Sequence, residues 1–294
     1  MTFVGIEAGG TKFVCGAGTG PDDLADVTTF PTTTPAETLA RARDFVLAHR
    51  VGLQAIGIAS FGPLDLDRSS ATYGHITSTP KAGWTYTDVV GALRTPADVP
   101  IGFDTDVNGA ALAESRWGAA ATVDSCVYIT VGTGIGGGGL IGGQLLHGLL
   151  HPEMGHVSVR RAPQDDFPGD CAYHGDCLEG MASGPAIAKR WGTPAQDLVE
   201  PELGQAVRLE AGYLAQLAAA ITYLLSPARL IFGGGVMHLD GLLEALRTAT
   251  VDVLNGYIDV AEITDHTDRY IVRPGLGDHA GLLGALALAA DAAR

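Results

Sequence analysis

The chain has 294 residues, 46% of them hydrophobic and 17% charged; it is long enough for two lobes of ordinary domain size and too apolar for a disordered polymer. Its 18 basic residues against 33 acidic ones give a formal charge of −15, which repels a polyanionic backbone and argues against nucleic acid as a partner. No basic flank precedes an apolar run near the start, and stretches such as Leu217 to Leu225 fall short of the ~20 residues that span a bilayer. A cytoplasmic protein without membrane contact is therefore expected, its four cysteines reduced. Glycine is the compositional anomaly: 41 residues, roughly twice ordinary usage and without a G-X-Y period.

Thr2 to Thr19 reads as an apolar strand (FVGIEA), a Gly-Gly-Thr-Lys turn and a second apolar strand (FVCGAG), which together make a hairpin. A helix near Pro35 to His49, the strand AIGIAS, a helix near Tyr86 to Leu93, the strand PIGFD and a helix starting near Asp106 follow. A near copy of the hairpin begins at Ser125, where CVYITV, the turn GTGIGG and GGLIGG run to Gln144. Helices are expected near Glu179 to Trp191, Leu203 to Leu225 and Leu239 to Leu254, with strands RLIFGG and YIVRP, and an apolar helix over Gly277 to Ala293. Two copies of a hairpin followed by alternating helices and strands predict two related lobes facing one another, with a boundary near Ala119 to Asp124 and both glycine tips in the cleft.

The tips have the chemistry of an anion cradle. Glu7-Ala8-Gly9-Gly10-Thr11-Lys12 places a carboxylate at a strand end, then two glycines whose amides an anion can approach, a hydroxyl and an ammonium. No helix pattern follows the lysine directly, so this is not a Walker loop, and a plain turn remains the alternative. Gly132-Thr133-Gly134-Ile135-Gly136-Gly137-Gly138-Gly139 concentrates six glycines in eight residues, and Gly233-Gly234-Gly235 follows a strand directly. Asp106 begins a helical pattern after PIGF and reads locally as a helix N-cap or as a base. His156, Cys171, His174 and Cys177, spaced H-x14-C-x2-H-x2-C, offer four ligands for a closed tetrahedral zinc site; free thiols and surface histidines are the plainer alternative. Cys15 and Cys126 lie in apolar strands and read as buried thiols.

In combination these segments resemble the ROK family of sugar kinases, within the actin-like, ribonuclease-H-like ATPase superfamily. Gly5 to Lys12 resembles the family's G-I-D-x-G-G-T-K phosphate segment, with Glu7 for the usual Asp. Gly132 to Gly139 resembles the second phosphate segment, and Gly233 to Gly235 the adenosine segment. The resemblance implies a two-lobed α/β fold with the active site in the interlobe cleft. It places residues 1–119 in an N-terminal lobe, 120–277 in a C-terminal lobe with the zinc loop, and a final helix, about 278–294, back on the first lobe. It further implies ATP held by Glu7, Gly9, Gly10, Thr11, Lys12, Gly132, Thr133, Gly134, Gly136, Gly233, Gly234 and Gly235, with Mg²⁺ on the phosphates.

Asp106 resembles the family's general base in its N-D-x-N segment, where Thr105 replaces the usual sugar-binding Asn. Glu153-Met154-Gly155-His156 and Cys177-Leu178-Glu179 match E-x-G-H and C-L-E, which puts Glu153, His156 and Glu179 at the sugar hydroxyls. Thr79-Pro80-Lys81-Ala82-Gly83-Trp84 resembles the T-P-K-x-G-W stretch of the family's fructokinase branch, as does Gly62-Pro63, although Trp84 could equally plug a core. Fructose is thus the expected substrate, with glucose, mannose or another hexose as the alternative, and the zinc is expected to be structural. The sugar-responsive repressor branch is disfavoured by the charge of −15 and by the early position of Glu7. An actin-like ATPase without a sugar substrate is disfavoured by the acidic and zinc elements after Gly148. Family habit also implies a homodimer.

Overall fold

In a computed structural model, which describes residues 2–94 and 98–294, the chain is α/β and builds two five-stranded mixed sheets. In the first, β1 (Thr2–Ala8) and β2 (Lys12–Gly18) form the hairpin, with β3 (Ala25–Pro31) antiparallel to β2. After helix α1 (Pro35–Ala48), β4 (Leu53–Ser60) pairs parallel to β1; after α2 (Val89–Leu93), β5 (Ile101–Thr105) pairs parallel to β4 and runs into α3 (Asp106–Trp117). The second sheet opens with β6 (Cys126–Val131), β7 (Ile135–Ile141) and β8 (Gln144–Leu145). It continues through α4 (Leu178–Ala182), α5 (Gly184–Trp191), α6 (Glu202–Leu225), β9 (Arg229–Gly233), α7 (Leu242–Leu254), α8 (Ala261–Thr264), α9 (Thr267–Tyr270) and β10 (Ile271–Val272). The strand orders, β3-β2-β1-β4-β5 and β8-β7-β6-β9-β10, are the same topology used twice.

Several expected boundaries move for local reasons. The helix expected over Glu179 to Trp191 breaks at Ser183, which is extended (φ −75, ψ 163) and caps α5 through the amide of Ala186. Pro185 has no N–H for the carbonyl of Met181, so one continuous helix would lose a bond there. The helix expected from Leu239 starts at Leu242, because Gly235–His238 winds as a 3-10 turn and Gly241 sits at φ 79. The one near Tyr86 shrinks to α2, capped by Asp88, since Tyr86 itself has φ 57. Strand β3 had no readable pattern: of its residues only Phe30 is buried.

The final helix, α10 (Ala280–Ala292), returns to the first sheet and packs on β1, β4, β5 and α3. It is apolar almost all round because it is sandwiched. The contact is backbone to backbone: a Cβ on Gly57 would lie 1.7 Å from the carbonyl oxygen of Ala285, one on Gly102 2.3 Å from that of Leu288, and one on Gly284 2.2 Å from Gly109. On the opposite face of that sheet, Val4, Ile6, Phe13, Ile56, Ile58 and the fully buried Trp84 belong to one core.

The chain crosses between the sheets twice, near Gly118–Ala120 and near Gly275–Leu276, and buried Glu114 holds both crossings. Its Oε2 accepts from the amides of Ala119 (2.6 Å) and Gly275 (2.9 Å), its Oε1 from that of Leu276 (3.0 Å). Among the described residues no helix is long and apolar enough to cross a membrane. Gly57→Ala must push α10 off the sheet; a loss of about 2 kcal/mol or more, read as a fall of several degrees in Tm, is expected. An unchanged Tm would show that the sheet-to-helix spacing is not tight.

Candidate active site

Register aligns the carboxyl ends of the parallel strands, where open α/β sheets bind ligands. Ala8 pairs with Ser60, and Ser60 with Thr105, so the first glycine tip, the loop after β4 and the start of α3 leave the first sheet side by side. Thr130 likewise pairs with Gly233, so the second tip leaves beside Gly234 and Gly235. Strand β7 brings the two sets together by lying on α3: a Cβ on Gly138 would be 2.6 Å from the amide of Asn108, and one on Gly136 3.1 Å from the Val107 side chain. Of the six glycines read as bare amide donors, only Gly132 and Gly134 are in the turn with Thr133. Gly136 to Gly139 pair with Thr130 to Val127 in the β6–β7 ladder, and their missing side chains are what admit α3 and Met154.

The first tip is braced. Gly9 donates to the carbonyl of Lys12 (3.0 Å), while Thr32 donates its hydroxyl to the carbonyl of Gly9 (2.6 Å) and its amide to that of Thr11 (2.9 Å). Lys81 reaches the same brace, its Nζ 3.4 Å from the carbonyl oxygen of Thr32, so the T-P-K-A-G-W segment lies against the phosphate-like tip. Trp84 is a core residue whose Nε1 donates to the carbonyl of Thr33 (2.9 Å), and Pro80 is exposed beside it.

Thr105, buried, caps α3 by accepting from the amide of Asn108 (3.1 Å), so Asp106 occupies the first turn and is not the cap. Asp106 Oδ1 accepts from the Val107 amide at 2.9 Å. Burial pushes its carboxyl up to about 6 against the pull of that bond. Glu7, at the end of β1, is pushed up to about 7 by burial and by Asp106, with Lys12 opposing and Asp278 adding to the rise. Glu153 is pushed up to about 7 by burial, Asp106 and Glu179. Glu179, in the first turn of α4, accepts from the amide of Ile135 at 2.9 Å, which ties it to the second tip.

Other residues here carried no clear sequence signal. Buried Asp104 accepts from the Thr105 amide (2.8 Å) and from Asn108 Nδ2 (2.9 Å), with His147 Nε2 2.8 Å from its other oxygen; that bond raises the His147 pKa. Asn108 Oδ1 accepts from the amide of Gly139 at 3.0 Å, locking α3 to β7. Asp104 shares the run Asp104-Thr105-Asp106-Val107-Asn108, which offered a hint; nothing in sequence pairs it with a histidine 43 residues on. Asp278, near Glu7, precedes α10, whose Gly281 leaves room for the Glu7 carboxyl group.

The four expected metal ligands converge. Cys171 Sγ is 3.8 Å from His156 Nδ1 and 3.7 Å from His174 Nδ1, and Cys177 Sγ is 3.6 Å from His156 Nδ1. All four donor atoms lie within 4.8 Å of one another. A tetrahedral ion with bonds of about 2.3 Å to sulfur and about 2.1 Å to nitrogen has edges of about 3.6 Å, so the set fits Zn²⁺. Gly175, at φ 70, closes the loop through paired bonds with Cys171, and Cys177 leads directly into α4 and Glu179. Arg190 anchors this loop from α5, packed 4.5 Å over Phe167 and paired with buried Asp165 at 3.1 Å.

Comparison with known proteins agrees with this architecture. Residues 3–292 match the ROK family. The chain is 47% identical over 289 residues to a fructokinase of Zymomonas mobilis, covering 97% of this chain and 95% of that one. It is 40% identical over 289 residues to a fructokinase of Pediococcus pentosaceus, covering 98% of both. The crystal structure of a ROK hexokinase from Thermus thermophilus superposes with a TM-score of 0.78 at 28% identity, over 99% of this chain and 98% of that one. A doubled α/β sheet with paired glycine tips, matched across almost its whole length by these proteins, has the actin-like ATPase fold, and the chain belongs to the ROK family.

Proposed function

We propose that this chain is an ATP-dependent fructokinase that transfers the terminal phosphoryl group of ATP to the 6-hydroxyl of D-fructose. The observation that carries the reading is the placement of Asp106: first turn of α3, in the row of strand ends, where its charge is felt by both Glu7 and Glu153, with its carboxyl pushed up to about 6. Phosphoryl transfer to an alcohol needs a base at the attacking oxygen and positive charge around the transferred group. Asp106 is ionised at neutral pH yet basic enough to take the hydroxyl proton. Lys12, the amides of Gly9, Gly10 and Thr11, and those of Gly132, Thr133 and Gly134 supply the positive side, with Gly233 to Gly235 beneath the nucleoside.

Glu153, Glu179 and the free Nε2 of His156 face the sugar hydroxyls, Lys81 and Gly62 flank them, and Thr105 contributes through its cap on α3. The preference for fructose is supported by the fructokinase names of the relatives at 40% and 47% identity and by the T-P-K-A-G-W segment. Residues 1–119 with 278–294 form one lobe and 120–277 the other. Glu7 and Asp278 carry negative charge at the first tip that Lys12 opposes, and an oxygen donor there suits Mg²⁺ bound with ATP. Magnesium neutralises phosphate charge when bound with ATP. Zinc on His156, Cys171, His174 and Cys177 orders the loop that presents Glu179. A cytoplasmic homodimer is the assembly we expect, supported by the exposed apolar Leu149, Leu150 and Leu224.

Asp106→Asn is expected to lower kcat by about 10²-fold or more with little change in either KM. The base must be ionised, so wild-type kcat with both substrates saturating falls as pH drops below about 6, and the variant loses the share of that fall due to Asp106; near wild-type turnover in the variant would remove the assignment. Metal analysis of purified protein is expected to give one zinc per chain, and His174→Ala to lose it together with thermal stability; zinc-free protein with full activity would end the structural-metal reading. A coupled ADP-release assay across fructose, glucose, mannose and N-acetylated hexosamines is expected to show the highest kcat/KM for fructose, and preference for another sugar would replace it.

A further inference from the structure

The strap from Leu146 to Glu153 leaves β8 and crosses to the first sheet, where two of its histidines dock: His147 on Asp104, and His151 on the loop after β4. The second contact is the more constrained. The His151 side chain is 4% exposed, and its Nε2 lies 2.9 Å from the backbone nitrogen of Leu64. A backbone amide can only donate, so Nε2 carries the lone pair and the ring proton resides on Nδ1. That nitrogen is 3.6 Å from Glu153 Oε1 and 3.4 Å from the carbonyl oxygen of Pro152. Gly62 packs beside the ring: a Cβ there would meet it at an ordinary 3.5 Å and would crowd the Leu64 nitrogen at 3.1 Å.

Glu153 needs such a partner. Asp106 and Glu179 both repel it, and among the described residues its carboxylate has no hydrogen bond and no cation beside it, the imidazole of His151 being neutral. The imidazole is a two-ended strut: one end reads the backbone after β4, and the other donates to the Pro152 carbonyl just before Glu153, whose carboxylate stands 3.6 Å from the same nitrogen. We propose that His151 is a positioning residue that holds Glu153 in its sugar-binding orientation and makes that orientation depend on the loop 61–64. The proposal rests on the reading of Glu153 as a sugar contact.

Two substitutions separate the ends. His151→Gln keeps an acceptor for the Leu64 amide and loses the donor near Glu153; His151→Asn keeps a donor near Glu153 and loses the reach to Leu64. With the best hexose substrate of the wild type, each variant is expected to raise the sugar KM about tenfold with the ATP KM close to wild type; Tm stays close to wild type in His151→Gln and falls by a few degrees in His151→Asn, which leaves the buried Leu64 amide without its acceptor. In a Glu153→Gln background the same changes are expected to add less than about twofold, because their effect runs through the carboxylate. If Glu153→Gln leaves the sugar KM unchanged, the assignment of Glu153 fails. If Glu153→Gln raises the KM but His151→Gln behaves as wild type, or the two changes multiply independently, the positioning role is overturned and His151 only anchors the loop.

Discussion

The packing of α10 on the first sheet is the constraint from which the site follows. Its backbone sits where the side chains of residues 57 and 102 would otherwise be, the backbone of Gly109 in turn sits where a side chain on Gly284 would be, and this closeness fixes α3, which α10 also touches. The first turn of α3 carries Asp106, and β7 rests on that same turn. Small residues thus convert a sheet-to-helix distance into a placement of the catalytic carboxylate relative to both glycine tips. Glu114 performs the corresponding service for the two crossings, holding them with three hydrogen bonds to backbone amides and, among the described residues, no ion-pair partner.

Electrostatically the centre is unfinished without its substrates. Asp106 raises the proton affinity of both Glu7 and Glu153, Asp278 adds to the rise at Glu7 and Glu179 to that at Glu153, and Lys12 opposes it at Glu7. The protein tolerates that repulsion because the carboxylates are held by different elements: β1, α3, and the turn before Met154. Their separation is maintained by hydrogen bonds on the residues around them, such as Thr105 to Asn108 and Asn108 to Gly139.

Much of this arrangement could be read from residues in order. The repeated hairpin, the convergence of His156, Cys171, His174 and Cys177, and the position of Asp106 after an apolar strand all follow from local pattern. What escaped reading depends on partners far apart in the chain. Asp104 with His147, Leu64 with His151, and Glu114 with Gly275 have no periodicity to betray them. The glycines misled in one respect: those from 136 to 139 resemble a phosphate loop in composition, yet they form a strand whose bareness serves packing. Strand β3 was silent because its exposure leaves almost no alternation, and Ser183 broke a helix that apolar spacing alone would have continued.

The return of α10 also bears on how the molecule is made. The sheet that receives this helix is synthesised before the second sheet, and the helix that completes it after. At roughly 5 to 20 residues per second, Gly5, Gly57 and Gly102 wait on the order of ten seconds or longer, uncovered, while the second sheet is synthesised and folds. Removing α10 alone would spare every site residue named above and still leave that first sheet with an open apolar face.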